Sequence, residues 1–402
     1  MGIIYIGKCP DYSDRNIQRV LDECFEQLGG VGKYIREGMK VLVKPNLVMP
    51  KRPECAATTH PALVAGVCGI IARAGATAVI ADSPGGLYNS AVLRALYSVC
   101  GMTEACSVAL RLAGESTGTG AVTSASPVRL NYDTSSVEVD VPNARLIKKT
   151  VIIRPIAEAD LVINLPKLKT HGQMAYSGAV KNMFGAVPGV LKAEYHFRMS
   201  DYKQFAEALV DVFLSAAPGL NIMDAVWGMD GEGPTAGDPK YMGVILAGED
   251  AFETDLTALS LAGLKAGDVP YMKAAAERGL CREDTGGIEY RGTAPGEINI
   301  GRFRAPAVKS LKTISFFDKG MMKFAVNMLK PKPVFNYDIC VGCGECSRVC
   351  PPGVIEMRGG KPYVDLDGCI RCFCCHELCP CGAVEIKRSL LIRMAAGRKA
   401  LS

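Results

Sequence analysis

The amino-acid sequence predicts a large mixed α/β domain with a parallel-type sheet, followed by a small cysteine-rich α+β domain. Up to about residue 265, strand-like and helix-like segments alternate, which favours a sheet covered by helices on both faces. Ten of the 17 cysteines lie between Cys340 and Cys381. With 402 residues, 49% of them hydrophobic, the chain is long enough for two or three domains with their own cores.

The order of elements in the large region follows from apolar runs and helix-start signals. A Val-rich run at 40–46 predicts a strand, and Thr59-His60-Pro61 offers a cap and a first-turn proline for a helix that Gly75 ends. Further strands are expected at 77–81, 160–165, 221–224 and 241–247, with a β excursion rich in Ser, Thr and Val at 120–150.

Shifts in composition divide the chain into four parts. We expect an α/β domain with a cleft at 1–300, a basic amphipathic linker at 301–335, a cysteine-rich domain at 336–386 and a basic tail at 387–402. The linker is expected to dock on the main body in preference to a membrane. The whole chain carries a modest net charge of +5, and no Arg/Lys stripe is interleaved with aromatic residues, so no nucleic-acid partner is predicted. No apolar run reaches membrane-spanning length.

Two runs of cysteines in the C-terminal region share one spacing. In each run two residues separate the first cysteine from the second and the second from the third. Three residues then precede a fourth cysteine, which is followed by proline. This is the bacterial ferredoxin spacing, in which the fourth cysteine ligates the other cluster. We therefore predict two [4Fe–4S] clusters. Cluster one would be held by Cys340, Cys343, Cys346 and Cys379, and cluster two by Cys369, Cys372, Cys375 and Cys350.

Zinc is the alternative for these cysteines, but two identical runs closed by proline fit paired tetrahedral sites poorly. Cys374 and Cys381 are extra cysteines, expected to pack near the clusters, with a catalytic thiol as the alternative. His376 is expected to be a surface or hydrogen-bonding residue and not a ligand. Because cysteines of this kind do not indicate disulfides and exposed cubanes are oxygen-labile, we expect a cytoplasmic location in an anaerobe.

Candidate binding residues lie where predicted strands end. Ligands of parallel sheets bind at the carboxyl ends of strands, which here carry Lys44, Asn46, Asp82 and Ser83. His60 lies in a polar segment at the start of the next helix. Glu232 lies in a Gly-rich acidic loop that could supply a base, bind a hydroxyl or simply form a turn.

The densest polar segment runs from 164 to 198. Its basic and amide side chains are Lys167, Lys169, His171, Lys181, Asn182, Lys192 and His196. Positive charge among many small residues predicts a pocket for an anion, such as a carboxylate, a phosphate or a nucleotide-like cofactor. A solvated basic loop is the alternative.

Several motifs together resemble the DUF362 family, with an appended two-cluster ferredoxin domain. The motifs are Val43-Lys44-Pro45-Asn46-Leu47, Thr59-His60-Pro61, Ala81-Asp82-Ser83-Pro84, Asn164-Leu165-Pro166-Lys167, Lys169-Thr170-His171, Gly178-Ala179-Val180-Lys181-Asn182-Met183-Phe184-Gly185 and Glu232-Gly233-Pro234. The resemblance covers nearly the whole chain. It implies the α/β fold and the place of the site, and no particular reaction.

The segment around Lys181 is also similar to the core of lactate racemase. That similarity rests on His171 and Lys181 with Tyr176-Ser177-Gly178 between them, then on Pro188-Gly189 and His196. It implies a lysine that tethers a nickel-pincer nucleotide at Lys181, a nickel ligand at His196 and an acid/base at His171. It also implies a two-lobed α/β architecture.

These patterns together predict an iron–sulfur oxidoreductase. Electrons from an external donor such as ferredoxin or flavodoxin would reach an anionic small molecule that the lysines orient. His171 or His196 would donate the proton, since histidine titrates near neutrality. Two alternatives stay open: an electron carrier or redox activator for a partner protein, and a nickel-pincer-type isomerase. A further organic or metal cofactor in the cleft also stays open.

Overall fold

The computed structural model describes residues 2–114, 126–189, 191–306 and 331–387. Most of the predicted linker and nearly all of the predicted tail lie outside these residues. The strands are β1 (Ile3–Lys8), β2 (Lys40–Pro45), β3 (Thr77–Ile80), β4 (Val128–Leu130), β5 (Ser136–Asp140), β6 (Lys149–Ile153), β7 (Leu161–Leu165), β8 (Lys167–His171), β9 (Ala175–Ser177), β10 (Leu220–Asp230), β11 (Asp238–Gly248), β12 (Glu289–Gly292), β13 (Lys332–Phe335), β14 (Ile355–Arg358), β15 (Lys361–Val364) and β16 (Val384–Lys387).

The helices alternate with these strands along the large domain. They are α1 (Asp14–Gln27), α2 (Val31–Tyr34), α3 (Pro61–Arg73), α4 (Ser90–Val99), α5 (Met102–Leu112), α6 (Arg154–Ala157), α7 (Ala179–Asn182), α8 (Leu191–Arg198), α9 (Tyr202–Ser215), α10 (Ala251–Leu261), α11 (Pro270–Glu277), α12 (Glu345–Arg348) and α13 (Cys374–Glu377). Short 3₁₀ turns lie at Pro53–Cys55, Met183–Ala186, Ala266–Asp268 and Pro295–Glu297.

Within the described residues the main sheet has ten strands, in the order β12-β1-β11-β10-β7-β2-β3-β4, with β8 paired to β10 and β9 paired to β8. From β10 to β4 each neighbouring pair runs parallel. Strand β11 is antiparallel to both β10 and β1. The predicted fold class is therefore confirmed: a mixed α/β protein with a largely parallel sheet.

Both faces of the sheet are buried. Val41 and Val43 of β2 pack in one core with side chains of α1, α3 and α5, whereas Leu42 packs in the other core with α7, α9, α10 and α11. Because successive strand residues point to opposite faces, this alternation places helices on both sides. Burial of β2 on both faces of the sheet explains why its sequence is a continuous apolar run and does not alternate with polar residues.

The carboxyl ends of β2 and β3 meet at one edge of the sheet. The register pairs Val43 of β2 with Ile80 of β3, and Lys44 of β2 with Asn164 of β7. The chain leaves β7 at this edge and continues into β8, β9 and the short helix α7. The motifs with polar side chains are therefore gathered at a single edge, as parallel topology requires.

The C-terminal region is small and built differently. Strands β13 and β16 form one antiparallel pair and β14 and β15 another, with α12 and α13 beside them. Across the described parts of the chain, no helix is both long enough and apolar enough to cross a membrane.

Candidate functional site

The eight cysteines of the two runs form two groups. Cys340, Cys343, Cys346 and Cys379 line one small cavity. Cys375 lies near Cys372, Cys369 and Cys350, and also near Cys346 of the first group. Each group thus takes its fourth cysteine from the other run, as the crossed spacing predicts, and the ligand roles themselves stay a prediction.

The donor set of these groups fits a cubane. The Sγ of Cys379 accepts a hydrogen bond from the Ala383 amide at 3.1 Å, an arrangement that stabilises a thiolate. At Gly342, which has a φ of 71°, an added Cβ would lie 2.7 Å from the Gly360 carbonyl oxygen, so the tight turn needs glycine. Among the described residues, no three His, Cys, Asp or Glu side chains are close enough to chelate a single metal ion.

A cavity of about 470 Å³ lies between the carboxyl edge of the sheet and the ends of both cysteine runs. Its size is typical of small-molecule sites. From the α/β part it is lined by Asn46, Asp82, Ser83, Lys169, Lys181, Asn182, Lys192 and His196. From the C-terminal part it is lined by Glu345, Arg348, Val349, Cys350, Pro351, Cys374, Glu377 and Leu378. Eight of the thirteen candidate binding and catalytic residues therefore line one cavity, which also touches a predicted cluster ligand.

Lys44 lies behind this cavity and does not line it. Its Nζ is 2.8 Å from Oδ1 of Asp82, and both side chains are buried. The other carboxylate oxygen of Asp82 accepts from the Leu47 amide at 2.7 Å. Burial lowers the pKa of Lys44, and Asp82 opposes that effect. Lys44 therefore fixes Asp82 in place and has no free position for a ligand.

Lys167 and His60 belong to a second buried cluster, away from the cavity. Nζ of Lys167 donates to Asp224 Oδ2 at 2.9 Å and to the Tyr12 hydroxyl at 3.0 Å. The ring of His60 stacks on Tyr12 with centroids 3.5 Å apart, and its Nδ1 accepts from the Ala62 amide at the start of α3. These groups satisfy one another, so we assign them to the support of β8 and β10.

Glu232 also lies outside the cavity. Its side chain is exposed, and its carbonyl oxygen is 3.3 Å from Nε2 of His376. Asp224, which the sequence places at a strand end, lies inside β10 and is buried. The acidic segment around Glu232 thus forms part of the contact with the C-terminal region, through its backbone.

A chain of amides holds the floor of the cavity. Lys169 Nζ donates to Asn46 Oδ1 at 2.8 Å, and Asn46 donates to Asn182 Oδ1 at 2.7 Å. Asn182 in turn donates to Asn164 Oδ1 at 2.7 Å. The chain ties the ends of β2 and β7 to β8 and α7, which fixes the orientation of the lysine.

Three lysines give the cavity its positive charge. Lys192 Nζ donates to Ser83 Oγ and to the carbonyl oxygens of Ser83 and Pro84, at 2.8 to 3.0 Å. Burial lowers the pKa of Lys169 and of Lys192 to about 7. Among the described residues, Nζ of Lys181 has no hydrogen-bond acceptor, and it lies 6.0 Å from the Phe184 ring centroid. Burial lowers the pKa of Lys181 too, so an anion that paired with it would favour its charged form.

The two histidines of the segment differ in their contacts. His171 Nδ1 accepts from the amides of Gln173 and Met174, so the hydrogen of a neutral ring sits on Nε2. His196 lines the cavity beside the Phe205 ring, and its Nδ1 is buried without a hydrogen-bond partner among the described residues. Burial lowers the pKa of both histidines to about 4. The argument that histidine titrates near neutrality therefore does not apply to either ring in this structure.

Glu377 is a site residue that the sequence analysis missed. It lies on α13 between two predicted cluster ligands, and its Oε1 is 3.1 Å from His171 Nε2, out of line for a good hydrogen bond. Burial acts to raise the pKa of Glu377, but His171 and Lys181 outweigh it and hold that pKa well below its usual range. At neutral pH the pair is therefore a carboxylate beside a neutral imidazole. The available signal was that Glu377 is the single acidic residue from 369 to 379.

Backbone contacts seat the C-terminal region against the sheet edge. The Thr235 hydroxyl donates to the Glu377 carbonyl oxygen at 2.7 Å, and Lys51 Nζ donates to that of Pro380 at 3.0 Å. At Gly85 an added Cβ would lie 2.5 Å from Leu378 Cδ2. His376 is buried and hydrogen-bonded, so the surface position considered for it is wrong.

Family models match both parts of the chain. The domain of unknown function DUF362 matches residues 41–260, and a 4Fe-4S dicluster domain matches residues 332–380. The resemblance expected from the motifs is thereby confirmed.

Similar proteins come from three organisms. The thylakoid-associated protein sll1697 of Synechocystis sp. is 30% identical over 304 residues, which span 74% of this chain and 85% of that protein. Pyruvate synthase subunit PorD of Thermotoga maritima is 67% identical over 24 residues, 6% of this chain and 24% of that subunit. The lactate racemase apoprotein of Thermoanaerobacterium thermosaccharolyticum superposes with a TM-score of 0.39 at 12% identity, over 66% of this chain and 58% of that chain. That last likeness is too distant to bear on function.

Proposed function

Because the chain belongs to the DUF362 family and carries a 4Fe-4S dicluster domain that indicates electron transfer, we propose that it is an iron–sulfur oxidoreductase. In this proposal, two [4Fe–4S] clusters supply low-potential electrons, one at a time, when bound. The acceptor is an anionic small molecule in the cavity between the sheet edge and the two cysteine runs. The chain would have four parts: the α/β domain with the cavity at 1–300, the linker at 301–335, the cluster domain at 336–386 and the basic tail at 387–402.

One observation carries the proposal. Cys350, a predicted ligand of cluster two, lines the same cavity as Lys181 and His196. Cys372, another predicted ligand of that cluster, lies within electrostatic range of Cys350. A carrier needs no cavity beside a cluster, whereas an enzyme that reduces a small molecule needs the molecule and the electron source in close contact.

The charges of the cavity support an anionic substrate. Lys181 has no acceptor among the described residues, and the charges of Lys169 and Lys192 are met by amide, hydroxyl and carbonyl oxygens. Four carboxylates line the cavity: Asp82, Glu194, Glu345 and Glu377. Asp82 is already paired with Lys44, Glu194 with Arg198 and Glu345 with Arg348, which leaves Glu377, without a lysine or arginine partner, against the three lysines. The site therefore has a surplus of positive charge that a bound anion would offset.

The protons needed for a reduction can be held by the same side chains. Reducing one organic double bond takes two electrons and two protons, and the external donor must replace both electrons. Nζ of Lys169 and of Lys192 exchange protons near neutrality because burial lowers their pKa to about 7. His171 presents a neutral Nε2–H towards Glu377. We propose the lysines as proton donors and His196 as a hydrogen-bond donor to the substrate, whereas His171, which does not line the cavity, orients Glu377.

The proposal is tested by reoxidation of the reduced protein. Anaerobically purified protein is reduced with stoichiometric dithionite and mixed with a panel of organic anions, and its visible spectrum is followed. We expect at least one anion to reoxidise the protein, and Lys181→Met to slow this by about tenfold or more, since one charged contact is worth more than 1.4 kcal/mol.

A matched control is Lys273→Met. Lys273 is exposed on α11, 4.0 Å from Glu277, and does not line the cavity. It is expected to reoxidise at the parent rate. Equal rates for both variants and the parent protein would contradict the assignment of Lys181.

A second candidate function is a ferredoxin-type carrier or redox activator for a partner protein. Cys343 of the first run is exposed, as are Val341 and Ile339 beside it, which favours exchange with another protein. For a carrier, Lys181→Met would leave electron transfer to a protein acceptor unchanged. In our proposal the same exposed surface receives electrons from a cytoplasmic donor such as ferredoxin or flavodoxin.

A further inference from the structure

The cavity has two unlike walls. One wall is polar and comes from the α/β part, with Ser83, Lys169, Lys181, Asn182, Lys192 and His196. The other surfaces carry the apolar side chains of Val48, Leu87, Phe184, Phe197, Val349 and Leu378, and the C-terminal part adds the charged Glu345, Arg348 and Glu377. A ligand that fills about 470 Å³ must therefore match both kinds of surface.

The polar wall leaves few hydrogen-bond positions for a ligand. The ammonium group of Lys192 donates hydrogen bonds to three oxygens of Ser83 and Pro84. Lys169 donates to Asn46 and to the Ala57 carbonyl oxygen. The ammonium group of Lys181 and the buried Nδ1 of His196 have no hydrogen-bond partner among the described residues, and the carboxylate of Glu377 acts electrostatically on both. An ammonium group and an imidazole N–H can each donate to an oxygen of a bound carboxylate.

The apolar surfaces extend from the predicted cluster to the mouth of the cavity. Val349 is adjacent to Cys350 in the chain, and both line the cavity with Leu378. Leu87 and Phe197 also line the cavity, yet 48% and 51% of their surfaces are exposed, so they mark its opening. The part of a ligand that lies nearest to Cys350 therefore has Val349 and Leu378 as apolar neighbours, with the charged Arg348 and Glu377 on the same side of the cavity.

We propose that the cavity binds an aryl or alkenyl carboxylate, with its carboxylate on Lys181 and His196 and its conjugated apolar part against Val349 and Leu378. This rests on the proposed function and narrows its substrate class. A conjugated π system accepts electrons, whereas an isolated alkyl chain does not. The arrangement places that acceptor beside Cys350 and the charged group on the opposite wall.

The test compares three probes on the full chain, purified anaerobically, by isothermal titration calorimetry. Cinnamate has both the carboxylate and the conjugated ring, cinnamyl alcohol lacks the charge, and acetate lacks the ring. We expect cinnamate to bind at least about 30-fold more tightly than acetate, because burial of an aromatic ring is favourable. We also expect it to bind about tenfold or more tightly than cinnamyl alcohol, because of the charge.

Two pairs of variants test the contributions of the polar and the apolar surfaces separately. Lys181→Met is expected to weaken cinnamate about tenfold and leave cinnamyl alcohol unchanged, whereas the exposed Lys273→Met changes neither. Phe197→Ser is expected to weaken cinnamate several-fold and leave acetate unchanged. Its control is Leu146→Ser, at a residue that is 48% exposed, close to the 51% of Phe197, but does not line the cavity.

Two results would overturn the proposal and are distinguishable. If acetate binds as tightly as cinnamate and both depend on Lys181, the substrate class is wrong while the anion site of the proposed function stands. If no anion binds, or if Lys181→Met changes none of the affinities, the proposed function fails together with the substrate class.

Discussion

At the residue scale, Gly185 allows a close approach between its own backbone and a buried ion pair. An added Cβ would lie 2.2 Å from Asp82 Oδ1 and 2.6 Å from Lys44 Nζ. Both atoms belong to a buried ion pair, which has little room to move. The glycine is therefore required by its neighbours and not by its backbone conformation.

We predict that Gly185→Ala destabilises the protein by about 3 kcal/mol, since it forces apart a buried pair whose separation leaves uncompensated charges. The measurement is urea-induced unfolding of the anaerobic protein. Gly267→Ala is the control, because nothing lies within 4 Å of the Cβ it would add. Similar unfolding midpoints for the two variants would show that the Lys44–Asp82 pair tolerates displacement.

The lysines of the cavity lead to a pH prediction. The charged groups that act on Lys169 are Lys181, Glu377, Lys167 and Asp82, while Asp82, Lys44 and Lys181 act on Lys192. With a pKa of about 7, each lysine is partly neutral in the free site, and a bound anion raises that pKa. Anion affinity should then fall as the pH rises through about 7.

Proton uptake on binding checks this sign. Titrations at about pH 8 in buffers of different ionisation enthalpy should show protons taken up as the anion binds, and fewer of them for Lys169→Met. Proton release, or binding heats independent of the buffer, would mean that these lysines are fully charged before the anion arrives.

At the scale of elements, Asp255 positions the short helix α7 that carries Lys181 and Asn182. Its carboxylate accepts from the amides of Ala179 and Val180, at 2.6 and 3.1 Å, and from the hydroxyls of Tyr176 and Tyr271. An added Cβ at the preceding Gly178 would lie 2.0 Å from Asp255 Oδ1. The carboxylate therefore fixes the start of α7, although its own helix, α10, is distant in sequence.

Asp255→Ala should destabilise the protein, by about 3 kcal/mol, because four donors lose their acceptor. Burial raises the pKa of Asp255 to about 7, so the folded chain binds an extra proton between about pH 4 and pH 7. The stabilisation by Asp255 is thus largest in acid and is lost as the pH rises through about 7. The difference in unfolding free energy from the parent should be larger at about pH 5.5 than at about pH 8.

Asp255→Asn provides the control, since it keeps an acceptor oxygen but cannot ionise. Its unfolding free energy should depend less on pH than that of the parent protein over this interval. The same pH dependence in the parent and in Asp255→Asn would exclude Asp255 as the titrating group.

Most elements of the α/β part could be predicted because local patterns determine them. The strand expected at 40–46 is β2, and Thr59-His60-Pro61 begins α3, with His60 as its cap. Single side chains within those elements were less predictable. Lys167 and Lys169 are separated by one residue on β8. Lys167 contacts Asp224 of β10, whereas Lys169 contacts Asn46 at the end of β2 and lines the cavity. The difference arises from the neighbouring strands and not from the local sequence.

At the scale of the whole molecule, the site exists only where two regions distant in sequence meet. Glu377 reaches His171 across 206 positions of chain, and Cys350 faces Lys181 across the same cavity. Spacing within a cysteine run indicates a cluster, but it contains no information about which surface of the α/β part that run will contact. For this reason the sequence analysis found the lysines and the cysteines and missed Glu377.

The most direct test of the central claim, that cluster two adjoins the substrate cavity, is electron paramagnetic resonance of the reduced protein. Signals are assigned with Cys340→Ser for cluster one and Cys369→Ser for cluster two. The account predicts that cinnamate shifts the cluster-two signal and leaves the cluster-one signal unchanged, and that Lys181→Met needs about tenfold more cinnamate for the same shift. A shift confined to cluster one, or no shift when calorimetry shows that cinnamate is bound, would contradict it.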